Sequence, residues 1–189
     1  MARWSFALLC GFVLVVPAAA TAAGPAPWRI DARQSSIEFS AEQAGAKFDG
    51  RFAQWTGVIR FDAHDLAHSS AVVRVLVASI DTRSTDRDTA LKSEAWFDPA
   101  RWPQAVFATT AMRASSGGFE ADGMLTIRGR ARPVTLAFQV QTLAGGTVRL
   151  TGTARLARLA FGLGQGEFES VEWVGNDVDV RVVVVARSP

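Results

Sequence analysis

The sequence predicts an all-β fold: an extended antiparallel eight-stranded β-barrel, lipocalin-like in shape, with one or two short helices near its mouth. Three observations predict it. Apolar residues alternate with period two from Trp28 to the end of the chain, the signature of strands with one buried face. Gly50, Gly57, Gly123 and Gly152 interrupt those runs, as bulges and bends do in a tightly curled sheet. The last strand is apolar on both faces, Val180, Val182 and Val184 alternating with Val183 and Val185, and such a strand needs cover from a second layer, a helix or a ligand. An open β-sandwich shares the alternation but not the need for curvature.

The N-terminus reads as a signal peptide over residues 1–22. Arg3 is the basic start, Trp4 to Val16 is the apolar run, and "PAAATAAG" supplies the small residues of a cleavage site, after Ala20 or Ala22. The run is short for a membrane span, so a retained anchor is the weaker alternative. One domain, 23–189, remains, long enough to bury a core of its own. Cys10 is the only cysteine and lies within the signal, preceded by Leu9 instead of the small residue a lipoprotein site needs. The mature chain therefore makes no disulfide and offers no thiolate to a metal.

The strands follow in order. "SSIEFSAEQ" sets Ile37 and Phe39 on one face. "GRFAQWTGVIRFD" carries Phe52, then Val58, Ile59 and Phe61, with Gly57 between. "AVVRVLVAS" is β-branched throughout. "QAVFATTAMR", "FEADGMLTIRG", "RPVTLAFQVQ" and "TVRLTGTARL" come next, separated by turns such as Ser116-Gly117-Gly118 and Gly145-Gly146, and "DVDVRVVVVA" closes the chain. Only "STDRDTALKSEAWFDP" breaks the pattern. Ser84 or Thr85 caps a short helix near Asp86 to Ser93, and an aromatic turn with Trp96 and Phe97 follows before Pro99.

Chemistry is sparse. Net charge is +2 and the arginines are dispersed, which excludes a nucleic-acid footprint. His64 and His68 in "DAHDLAHSS" would share a helix face with Asp62 or Asp65, but the segment reads as a loop and lacks a further ligand, so no metal is expected. No nucleophile elbow accompanies them. Asp81, Asp86, Asp88 and Glu94 are explained by capping and by pairs with Arg83 and Arg87, and no catalytic residue is assigned. "FGLGQGEF" (161–168) lacks the helix of a dinucleotide fingerprint and reads as a flexible hairpin loop. Twelve Phe and six Trp with no Tyr suit an apolar cavity better than a wet one.

Taken together, the chain resembles the YceI-like family. The opening "WRIDARQSSIEF" is similar to that family's Trp–Ile–Asp and Ser–Ile–x–Phe strand, and "FDGRFAQWTGVIRFD" to its Gly–x–Phe and Ile–x–Phe–Asp strand. "SIDTRSTDRDTALKSEAWFDPARWP" is the most specific match, with Trp102-Pro103 where the family usually has Tyr-Pro. "GMLTIRGRARPVTLAF" and "ARLAFG" complete the series. Gln34 and Ala90 stand where the family often has His, and Ala160 where it commonly has Asp, so roles resting on those side chains do not carry over.

The resemblance implies a single barrel domain in a bacterial protein exported to the periplasm or secreted. It implies a non-catalytic carrier of a long apolar or amphiphilic ligand (a polyisoprenoid, an isoprenoid quinone or another lipid), with no further cofactor and no stable membrane anchor after signal cleavage. Alternation and resemblance name Phe39, Phe52, Trp55, Phe61, Trp96, Phe97, Phe107, Phe138 and Phe161 as the apolar wall. Asp81, Arg87 and Asp88 are rim or structural residues, an Arg–carboxylate fork fixing the helix there. The alternative reading is a stress-response or protein-interaction module, its barrel filled by its own side chains, pairing as a homodimer through the two-faced edge strand.

Overall fold

The structure, a computed structural model, describes residues 24–187. The expected signal segment, 1–22, and Cys10 lie outside the described residues. Among the described residues, eleven strands form one antiparallel sheet: β1 (Arg29–Ile30), β2 (Ser36–Gln43), β3 (Ala46–Phe52), β4 (Trp55–Arg60), β5 (Ser70–Leu76), β6 (Ile80–Asp81), β7 (Gln104–Ser115), β8 (Gly118–Ile127), β9 (Arg130–Thr142), β10 (Thr147–Ala157) and β11 (Asp177–Arg187). Hydrogen bonding runs in the order β4-β5-β7-β8-β9-β10-β11-β2-β3-β6, and β1 lies on β11.

The strand count exceeds the expected eight because two long arms are broken. Only Ala53 and Gln54 separate β3 from β4, and one 3-10 turn (Val77–Ser79) separates β5 from β6. β4 pairs with β5 while β3 pairs with β6, so the arms stay side by side across both breaks. Backbone bonds bridge the gap: Ala53 N–H donates to Ser79 O at 3.0 Å, and Leu76 N–H to Gln54 O at 3.0 Å. The sheet thus curls until the two ends of its path meet. The two-residue β1 adds the remaining segment.

Local chemistry places the turns. β2 and β3 are joined by Ala44 and Gly45, both at positive φ (52° and 75°), as a two-residue hairpin turn that matches strand twist requires. Arg128 and Gly129 (φ 51° and 70°) turn β8 into β9 in the same way. One α-helix, α1 (Thr85–Leu91), falls within the segment that broke the alternation. Ser84 caps it, its hydroxyl accepting from Arg87 N–H at 3.4 Å, and Asp86 and Asp88 occupy the first turn, where the helix dipole favours carboxylates.

Two apolar clusters hold the curled sheet. Trp28, Ile59, Phe61, Phe138, Val148, Leu150 and Val184 belong to one. Val77, Ile80, Leu91, Trp96, Phe97, Phe161 and Leu163 belong to the other, so α1 and its aromatic turn pack into the second. Among the described residues no helix is long and apolar enough to cross a membrane.

Ala44 bears a left-handed conformation that costs an L-residue roughly 1–2 kcal/mol. Ala44→Gly is expected to raise stability by about 0.5–1 kcal/mol, read as a higher urea midpoint at unchanged slope; an unchanged or lower midpoint would show that the turn is not strained.

Candidate functional site

The inward face of the sheet encloses two adjoining cavities. One, about 150 Å³, is bordered by Trp55, Phe61, Phe107 and Phe138 among others. The second, about 170 Å³, is bordered by Phe39, Phe52, Trp96, Phe97 and Phe161. Ile37, Val75, Ala105, Leu125, Leu156 and Val180 border both, forming a shared belt, the waist, between the two cavities. All nine aromatic residues expected in an apolar wall border one cavity or the other. They divide into two groups, one at each cavity.

The rings lock one another. Phe61 meets Trp28 edge-on at 5.7 Å and Phe138 at 5.4 Å. Across the waist, Phe39, Phe52 and Phe97 follow in contact, at 5.7 and 5.8 Å. Such edge-on and tilted pairs add about 0.5–1.5 kcal/mol each beyond area burial. Polar groups are few. Thr109 has the one hydroxyl on the first cavity, and it is engaged by Ala71 N–H at 2.9 Å. Trp96 Nε1 is buried without a hydrogen-bond partner at the second cavity.

The rim residues are built differently from the expected fork. Arg87 meets no carboxylate among the described ion pairs. Its Nε donates to Gln43 Oε1 at 3.3 Å, and its guanidinium lies 4.2 Å from the centroid of the Phe48 ring. Asp88 accepts from Thr82 N–H at 2.9 Å and from the Thr82 hydroxyl at 2.6 Å, tying α1 to β6. The Arg–carboxylate pair is Arg51 with Asp81, Nε at 3.0 Å and Nη2 at 2.9 Å. The Arg83 backbone N–H and then the Arg51 side chain hold the Asp81 carboxyl below the usual carboxylate range. Arg87, Gln43, Ser84, Asp86 and Ala90 border a third, outer cavity of about 320 Å³ that shares Phe48, Leu91, Trp96 and Val174 with the second.

Arg158 is the residue that alternation did not single out. It is 2% exposed and borders the second cavity, yet no acidic side chain pairs with it among the described residues. Its donors all go to backbone carbonyls: Nε to Gly175 at 3.0 Å, Nη1 to Leu163 at 2.8 Å, Nη2 to Phe168 at 2.7 Å and to Val174 at 2.9 Å. Burial pushes its guanidinium down from the ordinary arginine value. One side chain therefore gathers residues 163–175 over the end of the lumen. The segment 161–168, expected to be a hairpin loop, runs from the end of one 3-10 turn (Arg158–Phe161) into a second (Gly166–Glu169). Gly164 has φ 79°, and a Cβ there would collide with Arg158 Nη1. The signal was a lone Arg inside "LARLAFGLG".

The histidines stand apart. His68 Nδ1 lies 2.7 Å from Asp65 and His64 Nδ1 3.4 Å from Asp62, on an exposed loop between β4 and β5. Among the described residues no three His, Cys, Asp or Glu side chains gather as metal ligands.

A curled antiparallel sheet around an apolar interior, with a helix and an arginine-gathered loop at one end, defines an all-β protein of the curled-sheet class. Comparison with known proteins gives the family: the YceI-like domain model matches residues 28–186, and the chain belongs to that family. A UPF0312 protein of Shewanella denitrificans is 31% identical over 140 residues, covering 72% of each chain. The crystal structure of Burkholderia cenocepacia BcnA superposes with a TM-score of 0.78 at 30% identity, covering 83% of this chain and 99% of that one. A polyisoprenoid binding domain from Saccharophagus degradans, implicated in plant cell wall breakdown, shares the fold with a TM-score of 0.66 at 15% identity over 86% of this chain and 98% of that one.

Arg158→Ala leaves several buried carbonyls without donors, each costing roughly 1–3 kcal/mol, and is expected to lower stability by about 3 kcal/mol or more in urea unfolding. Arg158→Lys should recover only a minor part, since an ammonium lacks the planar fork. Full rescue by lysine would show that charge, not geometry, holds the loop.

Proposed function

We propose that the protein is a non-catalytic carrier, exported to the periplasm or beyond the cell, that holds a long apolar or amphiphilic chain such as a polyisoprenoid or an isoprenoid quinone. Its sheet acts as a lipocalin-like barrel of eight arms, with residues 46–60 counted as one arm and 70–81 as another. The observation that carries this reading is the pair of apolar cavities that adjoin at a shared waist. An apolar cavity of about 150 Å³ stays dry and takes a small hydrocarbon, because water finds no partners in it. Two such cavities in series suit a chain.

The energetics favour a long tail. Each buried CH₂ contributes about 0.8 kcal/mol, so a five-carbon isoprene unit contributes up to about 4 kcal/mol gross. Immobilising the ligand costs an estimated 4–15 kcal/mol or more, so a tail must bury several units to bind. No charged recognition motif is then needed inside, in keeping with a lumen whose only charged neighbour among the described residues, Arg158, is already saturated by carbonyls. On this reading a polar head group would meet Arg87, beside Asp86, at the outer cavity. The polyisoprenoid binding named for the Saccharophagus degradans domain supports the same ligand class. The cavities also favour a carrier over a module with a filled barrel.

Protein exported from a bacterial host, purified without detergent and then denatured, is expected to release an apolar chain detectable by mass spectrometry at near one per protein. Leu156→Arg, which sets a charge at the waist, should abolish the release. Protein that releases no lipid under any export condition would remove the carrier reading.

A further inference from the structure

We propose that two glycine–phenylalanine pairs set the bore of the lumen, selecting a slender flexible chain over a rigid fused-ring ligand; this rests on the carrier reading above. Gly50 and Gly123 stand at inward positions. On β3 the residues two away, Phe48 and Phe52, border the second cavity, and on β8 Ala121 and Leu125 border the first. Neither glycine has a positive φ, so the backbone does not require glycine there. Space does. A Cβ on Gly50 would lie 2.6 Å from Cε1 of Phe39, and one on Gly123 would lie 2.7 Å from Cζ of Phe107. Each ring occupies the place a wall side chain would have filled.

Position makes this consequential. Gly50 is the cross-strand partner of Phe39, whose other partner is Val180; Phe107 pairs with Leu125. Val180 and Leu125 both belong to the waist, so one ring stands on each side of it, Phe39 in the second cavity and Phe107 in the first. An aromatic ring laid over a glycine of the neighbouring strand is a recognised way to fill the gap the glycine leaves. Here it also holds the ring against the wall. A methyl group behind the ring would drive it in the one direction free of sheet backbone, into the lumen. The pairs therefore keep both rings back for a chain crossing between the cavities, whereas a flat polycycle would have to fit between the two ring faces.

The test uses delipidated protein titrated with farnesol as a short chain, solanesol as a long one and cholesterol as a rigid polycycle. Wild type is expected to bind both chains and reject cholesterol. Gly50→Ala should keep farnesol within about twofold and weaken solanesol by about tenfold or more, the loss expected when a few methylenes leave the lumen. Gly123→Ala would also press on Ala108 O at 2.6 Å, so the second side of the waist is tested by Phe107→Ala, which should admit cholesterol. That variant carries the test if Gly50→Ala does not fold. Equal losses of farnesol and solanesol in Gly50→Ala, solanesol binding unchanged, or cholesterol still refused by Phe107→Ala would overturn the bore assignment alone. Wild type that binds neither chain would overturn the carrier reading with it.

Discussion

The hydrogen bonds that tie Ala53 and Gln54 to Leu76 and Ser79 are the contact on which the rest of the molecule depends. An apolar lumen requires a wall whose backbone groups are all satisfied within the wall, because an unpaired N–H or C=O facing hydrocarbon costs several kcal/mol. Most of the wall meets this by regular pairing. At the breaks between β3 and β4 and between β5 and β6 the ladder would fail. There Ser79 serves as a joint: its hydroxyl accepts from Gln54 N–H at 3.0 Å and donates to Leu76 O at 2.7 Å. The turn at Val77 is held in addition by Pro103 O at 3.0 Å. The kink lets both arms bend without exposing an edge, and the bend gives the sheet its curl.

A curled wall still has ends, and these are closed by different means. Around the first cavity, Trp28 packs edge-on against Phe61, an apolar closure by the residues that precede β1. At the second cavity the closure is polar in its fixing and apolar in its face. Asp88 binds α1 to Thr82, Arg158 gathers the 163–175 segment, and the surfaces turned inward are those of Leu91, Trp96, Phe97, Phe161 and Leu163. The two ends also differ in what an amphiphile would meet. The outer cavity with Arg87 and Asp86 adjoins the second one, so on the carrier reading a head group would meet charged side chains there.

Much of this was legible in the residues. Period-two alternation placed most of the long strands and put Phe39, Phe52, Phe61, Phe107 and Phe138 on inward faces, because a strand with one buried face must repeat every two residues. The break in alternation at "STDRDTALKSEAWFD" gave the helix and narrowed its cap to Ser84 or Thr85, of which the structure uses Ser84. What stayed hidden involves contacts between distant segments, which no local pattern encodes. Arg87 stacks on Phe48 instead of pairing with a neighbouring carboxylate. Arg158 turns inward through a 3-10 turn, where alternation no longer says which side a residue faces. Gly50 and Gly123 read as bends, whereas in the structure their role is steric: the missing side chain is supplied by a ring from the next strand. The number of strands was misjudged because two arms kink at the seam while remaining paired.

On the carrier reading, the waist formed by Ile37, Val75, Ala105, Leu125, Leu156 and Val180 is crossed by one continuous apolar chain that fills both cavities. A crystal structure of the exported protein, purified without delipidation, decides this. One elongated density is expected to run through both cavities, passing between Phe39 and Phe107, with its polar end near Arg87. Side chains collapsed across the waist, or two separate pockets occupied only by water, would contradict it.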